Sequence, residues 1–140
     1  MWDITALTLD QVIQIAVALA LGAVIGFERE WADKPAGIRT HILVCVAACV
    51  ITIVATYFEA EEAQARLMEG IIVGVGFLGA GSIISSGSSG VKGLTTAASI
   101  WITCVIGMTV GMEKYALAAL AAGAVFVVLR MGKAKERIGD

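Results

Sequence analysis

Hydrophobic positions in this chain do not alternate with polar ones; they fuse into five long runs separated by short polar connectors. The runs extend from Leu9 to Phe27, Ile42 to Phe58, Gly70 to Ile84, Leu94 to Val110 and Tyr115 to Leu129. Each holds about 15–19 residues, the short end of what crosses a hydrocarbon core of roughly 30 Å. One such run could be the buried helix of a soluble domain. Five in succession cannot all be covered by the few polar residues of a 140-residue chain. A run crossing lipid must close its own backbone hydrogen bonds, and runs without a period of two do so as helices. The predicted fold is all-α: a polytopic bundle of five transmembrane helices over residues 1–130. A short basic tail follows at 131–140.

Composition sharpens this picture. Charged residues make up 16% of the chain and hydrophobic ones 59%, whereas ordinary soluble domains carry about 25% charge. Mean hydropathy is +0.89, so a polar shell is out of reach. The charges are also clustered: Lys92 stands alone between Gly70 and Val110, and none falls between Gln11 and Phe27. A net charge of −2 lacks the basic stripe of a nucleic-acid binder. Cys45, Cys49 and Cys104 all lie inside apolar runs, which is no disulfide framework. No Lys or Arg precedes Arg29, so the first run lacks the positive flank of a cleaved signal and is expected to stay as a helix.

Lys and Arg in the connectors orient the bundle. Eight (Arg29, Lys34, Arg39, Lys92, Arg130, Lys133, Lys135, Arg137) fall on one side and two (Arg66, Lys114) on the other. The expected topology therefore has the N-terminus outside and the C-terminus cytoplasmic. Trp2, Tyr57 and Phe58 suit interfacial anchoring.

Membrane helices associate by close packing of small residues and by hydrogen bonds, because lipid supplies little hydrophobic drive. Small residues recur at Ala18, Gly22 and Gly26 on the first span, Gly107 and Gly111 on the fourth, and Ala119 and Gly123 on the fifth. The third span carries Gly70, Gly74 and Gly81 on one side and Gly76 with Ala80 on another. Being smooth on two sides, it is expected in the middle of the bundle. These glycines read first as packing positions and second as the lining of a path. The same choice attends two polar stripes at helical spacing: His41, Cys45, Cys49, Thr52 and Thr56 on span two, and Thr96, Thr103 and Gly107 on span four.

Candidate chemistry is sparse. Gly74-Val75-Gly76-Phe77-Leu78-Gly79 matches G-x-G-x-x-G, but it lies inside a hydrophobic span with neither a preceding strand nor a following acid, so it is no dinucleotide site. His41 and Cys45, four apart, are too few for a metal, and the single histidine has no acid paired with it by spacing. No enzymatic activity and no cofactor are expected. Two connectors remain. Glu28 to His41 packs six charges and a histidine around Pro35 and Gly37 between two spans. Charges this close to hydrocarbon tend to pair or to serve a function, and the readings are a buried ion-pair cluster or an interfacial anchor. Gly79 to Ala98 is rich in glycine and serine; its free N–H groups could form an anion nest near Lys92, and Thr95 or Thr96 is expected to cap the fourth helix.

Four ordered stretches carry a resemblance: Gly22-Ala23-Val24-Ile25-Gly26-Phe27-Glu28-Arg29-Glu30, Ala36-Gly37-Ile38-Arg39-Thr40-His41, Gly74-Val75-Gly76-Phe77-Leu78-Gly79-Ala80-Gly81 and Val91-Lys92-Gly93-Leu94-Thr95-Thr96-Ala97-Ala98-Ser99-Ile100-Trp101. In order, spacing and membrane placement they resemble the signature of the MgtC/SapB family of bacterial inner-membrane proteins. The resemblance implies a five-helix membrane domain and a link to magnesium limitation. It also implies regulation of another membrane complex, the F-type ATP synthase being the partner proposed for some members. It singles out Glu28, Arg29, Gly37, Arg39, Thr40, Gly76, Gly79, Gly81, Thr95 and Thr96 as signature positions. Many longer relatives add an ACT-like cytoplasmic domain, whereas this sequence ends at Asp140.

Two functional readings follow. One is a non-enzymatic membrane regulator, since spans two to five hold no ionisable residue deep in the bilayer, where coupled carriers place theirs. The other is a small oligomeric transporter or channel for a divalent cation such as Mg²⁺, with Glu28 as the weak metal candidate among oxygen ligands. The candidate cluster is Glu28, Arg29, Arg39, Thr40, His41, Thr95 and Thr96; the glycines for packing or a path are Gly22, Gly26, Gly74, Gly76, Gly79 and Gly81. The expected partners are the lipid bilayer, a second copy in a homodimer and another membrane protein.

Overall fold

The computed structural model describes residues 7–84 and 91–138. Trp2 and residues 85–90, the middle of the Gly79–Ala98 segment expected to offer an anion nest, lie outside the described residues. Five helices follow one another: α1 Leu9–Trp31, α2 Ile38–Ala55, α3 Glu61–Ile84, α4 Leu94–Gly111 and α5 Tyr115–Ile138. Among the described residues there is no strand. Helices α1 to α4 are each long and apolar enough to cross a membrane; the apolar part of α5, Tyr115–Met131, is shorter.

The helix ends are built locally. Thr8 and Gln11 form a capping box at the start of α1: the Gln11 amide N–H donates to Thr8 Oγ1, and the Thr8 N–H donates to Gln11 Oε1. Helix α1 runs one turn past Phe27, so Glu28, Arg29 and Glu30 are helical rather than part of a connector. It closes where the Lys34 N–H reaches the Arg29 carbonyl and the Asp33 N–H reaches that of Glu30, with Asp33 left-handed at φ 51°. Glu113, at φ 61°, ends α4 in the same way. Helix α2 has no cap from its own N-cap residue, Gly37. The Glu30 carboxylate serves instead, accepting from the Ile38 N–H at 2.9 Å, an anion where a helix N-terminus favours one.

Packing gives α4 the central place: it touches each of the other four helices. Helix α3 packs on α2 and α4 only, and α5 on α1 and α4 only. This corrects the expectation that the third span sits in the middle. The reason lies in what each helix offers a neighbour. Helix α4 has one face of small groups (Thr96, Ser99, Thr103, Gly107, Gly111) and another that buries Ile100, Cys104 and Met108. Helix α3 has smooth sides with little to insert, and lipid exacts no hydrophobic penalty for leaving them uncovered.

Two apolar clusters result. One joins Ala18, Ile25, Cys45, Ile106, Val110 and Ala122; the other joins Val44, Ala48, Val75, Ile100 and Met108. Around them the usual arrangement is inverted. Phe77 is 80% exposed and Leu120 71%, while Glu28 and Arg29 are each 2% exposed and His41 is fully buried. A water-soluble protein places these groups the other way round.

Candidate functional site

The buried polar groups form a seam where α1, α2 and α4 meet. At its head, in the last turns of α1, Glu28 Oε2 accepts from Arg29 Nε at 2.6 Å and Nη2 at 2.5 Å. The same Nη2 lies 3.5 Å from the Leu129 carbonyl of α5, so the guanidinium ties α1 to the outermost helix on that flank. Glu28 Oε1 is buried and has no hydrogen-bond partner among the described residues. A pair removed from water this completely costs desolvation of both ions, and its attraction offsets that only with good geometry; two short charge-assisted bonds supply it.

His41 joins α2 to α4. Its Nδ1 lies 2.9 Å from the Gly37 carbonyl and its Nε2 lies 3.0 Å from Ser99 Oγ. A carbonyl only accepts, so Nδ1 carries a proton. Ser99 Oγ also lies 2.8 Å from the Thr96 carbonyl, and its one hydrogen cannot serve both neighbours. If Ser99 donates to Thr96, Nε2 must be protonated and the imidazole cationic; if it donates to Nε2, the imidazole is neutral. The head of the seam thus holds two hydrogen-bonded units, Glu28 with Arg29 and the Leu129 carbonyl, and His41 with Ser99 and the Gly37 carbonyl.

Below it the stripe closes on itself. Cys45, Cys49, Thr52 and Thr103 are buried; Thr56 is exposed. Thr52 donates to the Ala48 carbonyl at 2.8 Å and Thr103 to the Ser99 carbonyl at 2.7 Å. These hydroxyls satisfy themselves on their own helices, the packing behaviour rather than the lining one. Glycines then bring the backbones together. A Cβ on Gly22 would lie 2.9 Å from the His41 carbonyl oxygen, and one on Gly26 2.5 Å from Ile38 Cα. From the opposite side, a Cβ on Gly107 would lie 2.2 Å from the Cys45 carbonyl oxygen, and one on Gly111 2.6 Å from Thr52 Cβ. Only a hydrogen side chain fits at these four places. At the far end Gln14 Nε2 donates to the Gly111 carbonyl at 2.9 Å, and Gln11 Nε2 pairs with the Tyr57 hydroxyl.

Several candidate residues fall elsewhere. Arg39 and Thr95 are exposed and Thr40 is half-buried, so the seven-residue cluster divides, with Glu28, Arg29, His41 and Thr96 inside. Neither Thr95 nor Thr96 caps α4; its N-cap is Gly93, left-handed at φ 90°, with no side-chain cap. Gly74, Gly76 and Gly81 are not packing positions among the described residues, since a Cβ on any of them would meet nothing there within 4 Å. Gly79 makes ordinary contact with Ala97 at 3.5 Å. Among the described residues no three His, Cys, Asp or Glu side chains could hold a metal ion together. Three contributors escaped the sequence reading. Ser99 continues the Thr96–Thr103 spacing, and Gln14 is, with Gln11, one of two amides in an apolar run, so both left a trace. Glu30 as the cap of the next helix left none, because its partner is set by the turn between them.

A helical bundle that turns phenylalanine and leucine outward and hides an ion pair and a histidine is a multi-pass membrane protein. More specifically, the sequence profile of the MgtC family matches residues 15–138, and the chain belongs to that family. It is 36% identical over 133 residues to an uncharacterized protein of Haemophilus influenzae, covering 89% of this chain and 56% of that one. It is 37% identical to SapB of Bacillus subtilis, with coverage of 76% and 49%. Against YhiD of Escherichia coli K12 the identity is 40%, with coverage of 74% and 51%. The chain therefore spans about half the length of these relatives. No solved structure matches it.

Proposed function

We propose that this protein is a non-enzymatic component of magnesium homeostasis in the bacterial inner membrane. In this reading it acts on another membrane complex rather than conducting an ion itself. YhiD bears the name of a candidate magnesium transporter, and another relative at 38% identity is the MgtC of Salmonella typhimurium; these names carry the magnesium link. The observation that favours a regulator is the closure of the seam. Backbones meet at Gly22, Gly26, Gly107 and Gly111 with no room for a methyl group. The threonines of the stripe bond to their own helices, and Arg29 occupies Glu28 Oε2. A hydrated Mg²⁺, which keeps several of its waters, finds no passage in such a seam. At the head of the seam Arg29 links α1 to α5 and His41 links α2 to α4, an arrangement suited to transmit a change at one membrane face through the bundle.

The orientation in this reading has the Glu28 end cytoplasmic and the N-terminus outside, as the Lys and Arg distribution favours. A homodimer belongs to it as well, since α3 leaves Gly76 and Gly81 uncovered. That same open face supports the second reading, an oligomeric divalent-cation channel formed between copies rather than within one. Purified protein in liposomes separates the two. The regulator shows no Mg²⁺ flux, and it yields a membrane partner on crosslinking in cells. Robust flux abolished by Glu28→Gln would overturn the regulator in favour of the channel.

A further inference from the structure

Between α2 and α3 the bundle leaves an open groove of about 500 Å³, lined by Leu43, Ala47 and Ile51 of α2 and by Gly70, Gly74 and Leu78 of α3, with Arg66 at one end. Its size speaks to its occupant. From Arg66 to Leu78 the helix rises about 18 Å at 1.5 Å per residue. One leaflet of hydrocarbon is about 15 Å, half of a roughly 30 Å core, so the groove is one leaflet deep. A single acyl chain is one leaflet long and matches that depth.

Charge at the mouth then selects the headgroup. Arg66 is the single charged residue of the lining. It is exposed, and the ion pair found among the described residues is Glu28–Arg29, not one made by Arg66. A guanidinium at the edge of hydrocarbon suits a phosphate. Glu62 and Glu69 lie one turn to either side on the same helix face, at spacings of four and three, both exposed. A purely anionic headgroup would meet these two carboxylates as like charges, whereas an ammonium beside the phosphate would meet them as opposite ones.

We propose that this groove is a phospholipid site. It takes one acyl chain between α2 and α3, with the phosphate on Arg66 and a primary ammonium headgroup against Glu62 and Glu69. The site therefore prefers phosphatidylethanolamine to phosphatidylglycerol. This goes beyond the regulatory reading and does not depend on it, because the headgroup contacts rest on Arg66, Glu62 and Glu69, none of which belongs to the seam.

The test is native mass spectrometry of the purified protein in mild detergent, titrated with phosphatidylethanolamine or phosphatidylglycerol. The expected result is one retained phosphatidylethanolamine per chain. Arg66→Gln weakens retention about tenfold, the scale of one charge-assisted bond lost. Gly74→Phe, which fills the groove, removes the adduct, while Gly76→Phe, equally bulky on the same helix but outside the lining, leaves it. Arg66→Gln changes only an exposed side chain, so its result stands even if a phenylalanine variant fails to fold. Glu62→Gln with Glu69→Gln narrows the preference over phosphatidylglycerol. Equal retention of both lipids, unmoved by Arg66→Gln, would mean ordinary boundary lipid and overturn the proposal. So would disulfide crosslinking of two Gly74→Cys chains in the membrane, which would place a second copy in the groove.

Discussion

Two sets of glycines in this chain share a sequence appearance and have opposite surroundings. Gly22, Gly26, Gly107 and Gly111 sit where backbones of α1 and α4 press on α2, each with a neighbouring atom within 3 Å of an added Cβ. Gly70, Gly74, Gly76 and Gly81 on α3 face nothing within 4 Å. The first set joins three helices around a buried polar seam. The second keeps one helix slender at the edge of the bundle, and part of it forms the wall of the groove beside Arg66. A small residue every fourth position therefore marks the possibility of close approach, and the partner helix decides whether the approach occurs.

The strongest way to break the closed side is to remove the cation at its head. Arg29→Met leaves Glu28 buried without its partner, and removing one member of a buried pair costs about 3–5 kcal/mol. The variant should unfold at much lower denaturant in detergent micelles than the parent. Glu28→Gln leaves the Arg29 guanidinium, which cannot shed its charge, buried without a counter-ion, and should lose a comparable amount, about 3 kcal/mol. Combining the two should recover part of the loss, and a double-mutant cycle measures that coupling. If Arg29→Met melts like the parent, the pair does not hold the seam.

Next in size are the glycines themselves. In Gly107→Ala the new methyl carbon would meet the Cys45 carbonyl oxygen, and in Gly26→Ala it would meet Ile38 Cα. Both obstacles are backbone, so helices must separate, at about 1–3 kcal/mol each. Lower thermal midpoints in the same detergent would register this. Gln14→Leu should follow at about 0.5–1.5 kcal/mol, the net worth of its bond to the Gly111 carbonyl at the opposite end of the seam. Loss of that bond should act independently of Arg29, because the two lie more than three helical turns apart on α1.

How far this contrast can be read from sequence follows from particular residues. Five helices were legible because uninterrupted apolar runs admit little else. Their ends were less so, for hydropathy marks where hydrocarbon stops rather than where a helix does. Thus Glu28–Trp31 extends α1 and Glu61–Glu69 extends α3 beyond the apolar limits, and α5 continues through the basic segment to Ile138. The α1 start was legible in principle, since Thr8-Leu9-Asp10-Gln11 is a capping-box pattern ahead of an apolar run. Within the site, Glu28 and Arg29 announced themselves as charges adjoining Phe27. Ser99 was legible only as a further hydroxyl at the Thr96–Thr103 spacing; its partner, His41 Nε2 at 3.0 Å, left no mark in the sequence. The place of α3 was illegible for the same reason that its glycines misled: smoothness is a property of one helix, packing a property of two.

The smallest predicted effect is the most direct test of that distinction, because it makes the same substitution on the open side. Gly74→Ala adds a methyl group where no atom lies within 4 Å. With no steric cost, the helix propensity term remains, and alanine exceeds glycine by about 0.8–1.0 kcal/mol in a helix interior. Gly74→Ala should therefore raise the thermal midpoint slightly, against the fall expected for Gly107→Ala. Opposite signs for one chemical change would establish that the two sets differ in what packs against them. A clear destabilisation by Gly74→Ala in lipid-stripped detergent would instead show that protein presses against Gly74, and the division between a closed seam and an open edge would fail.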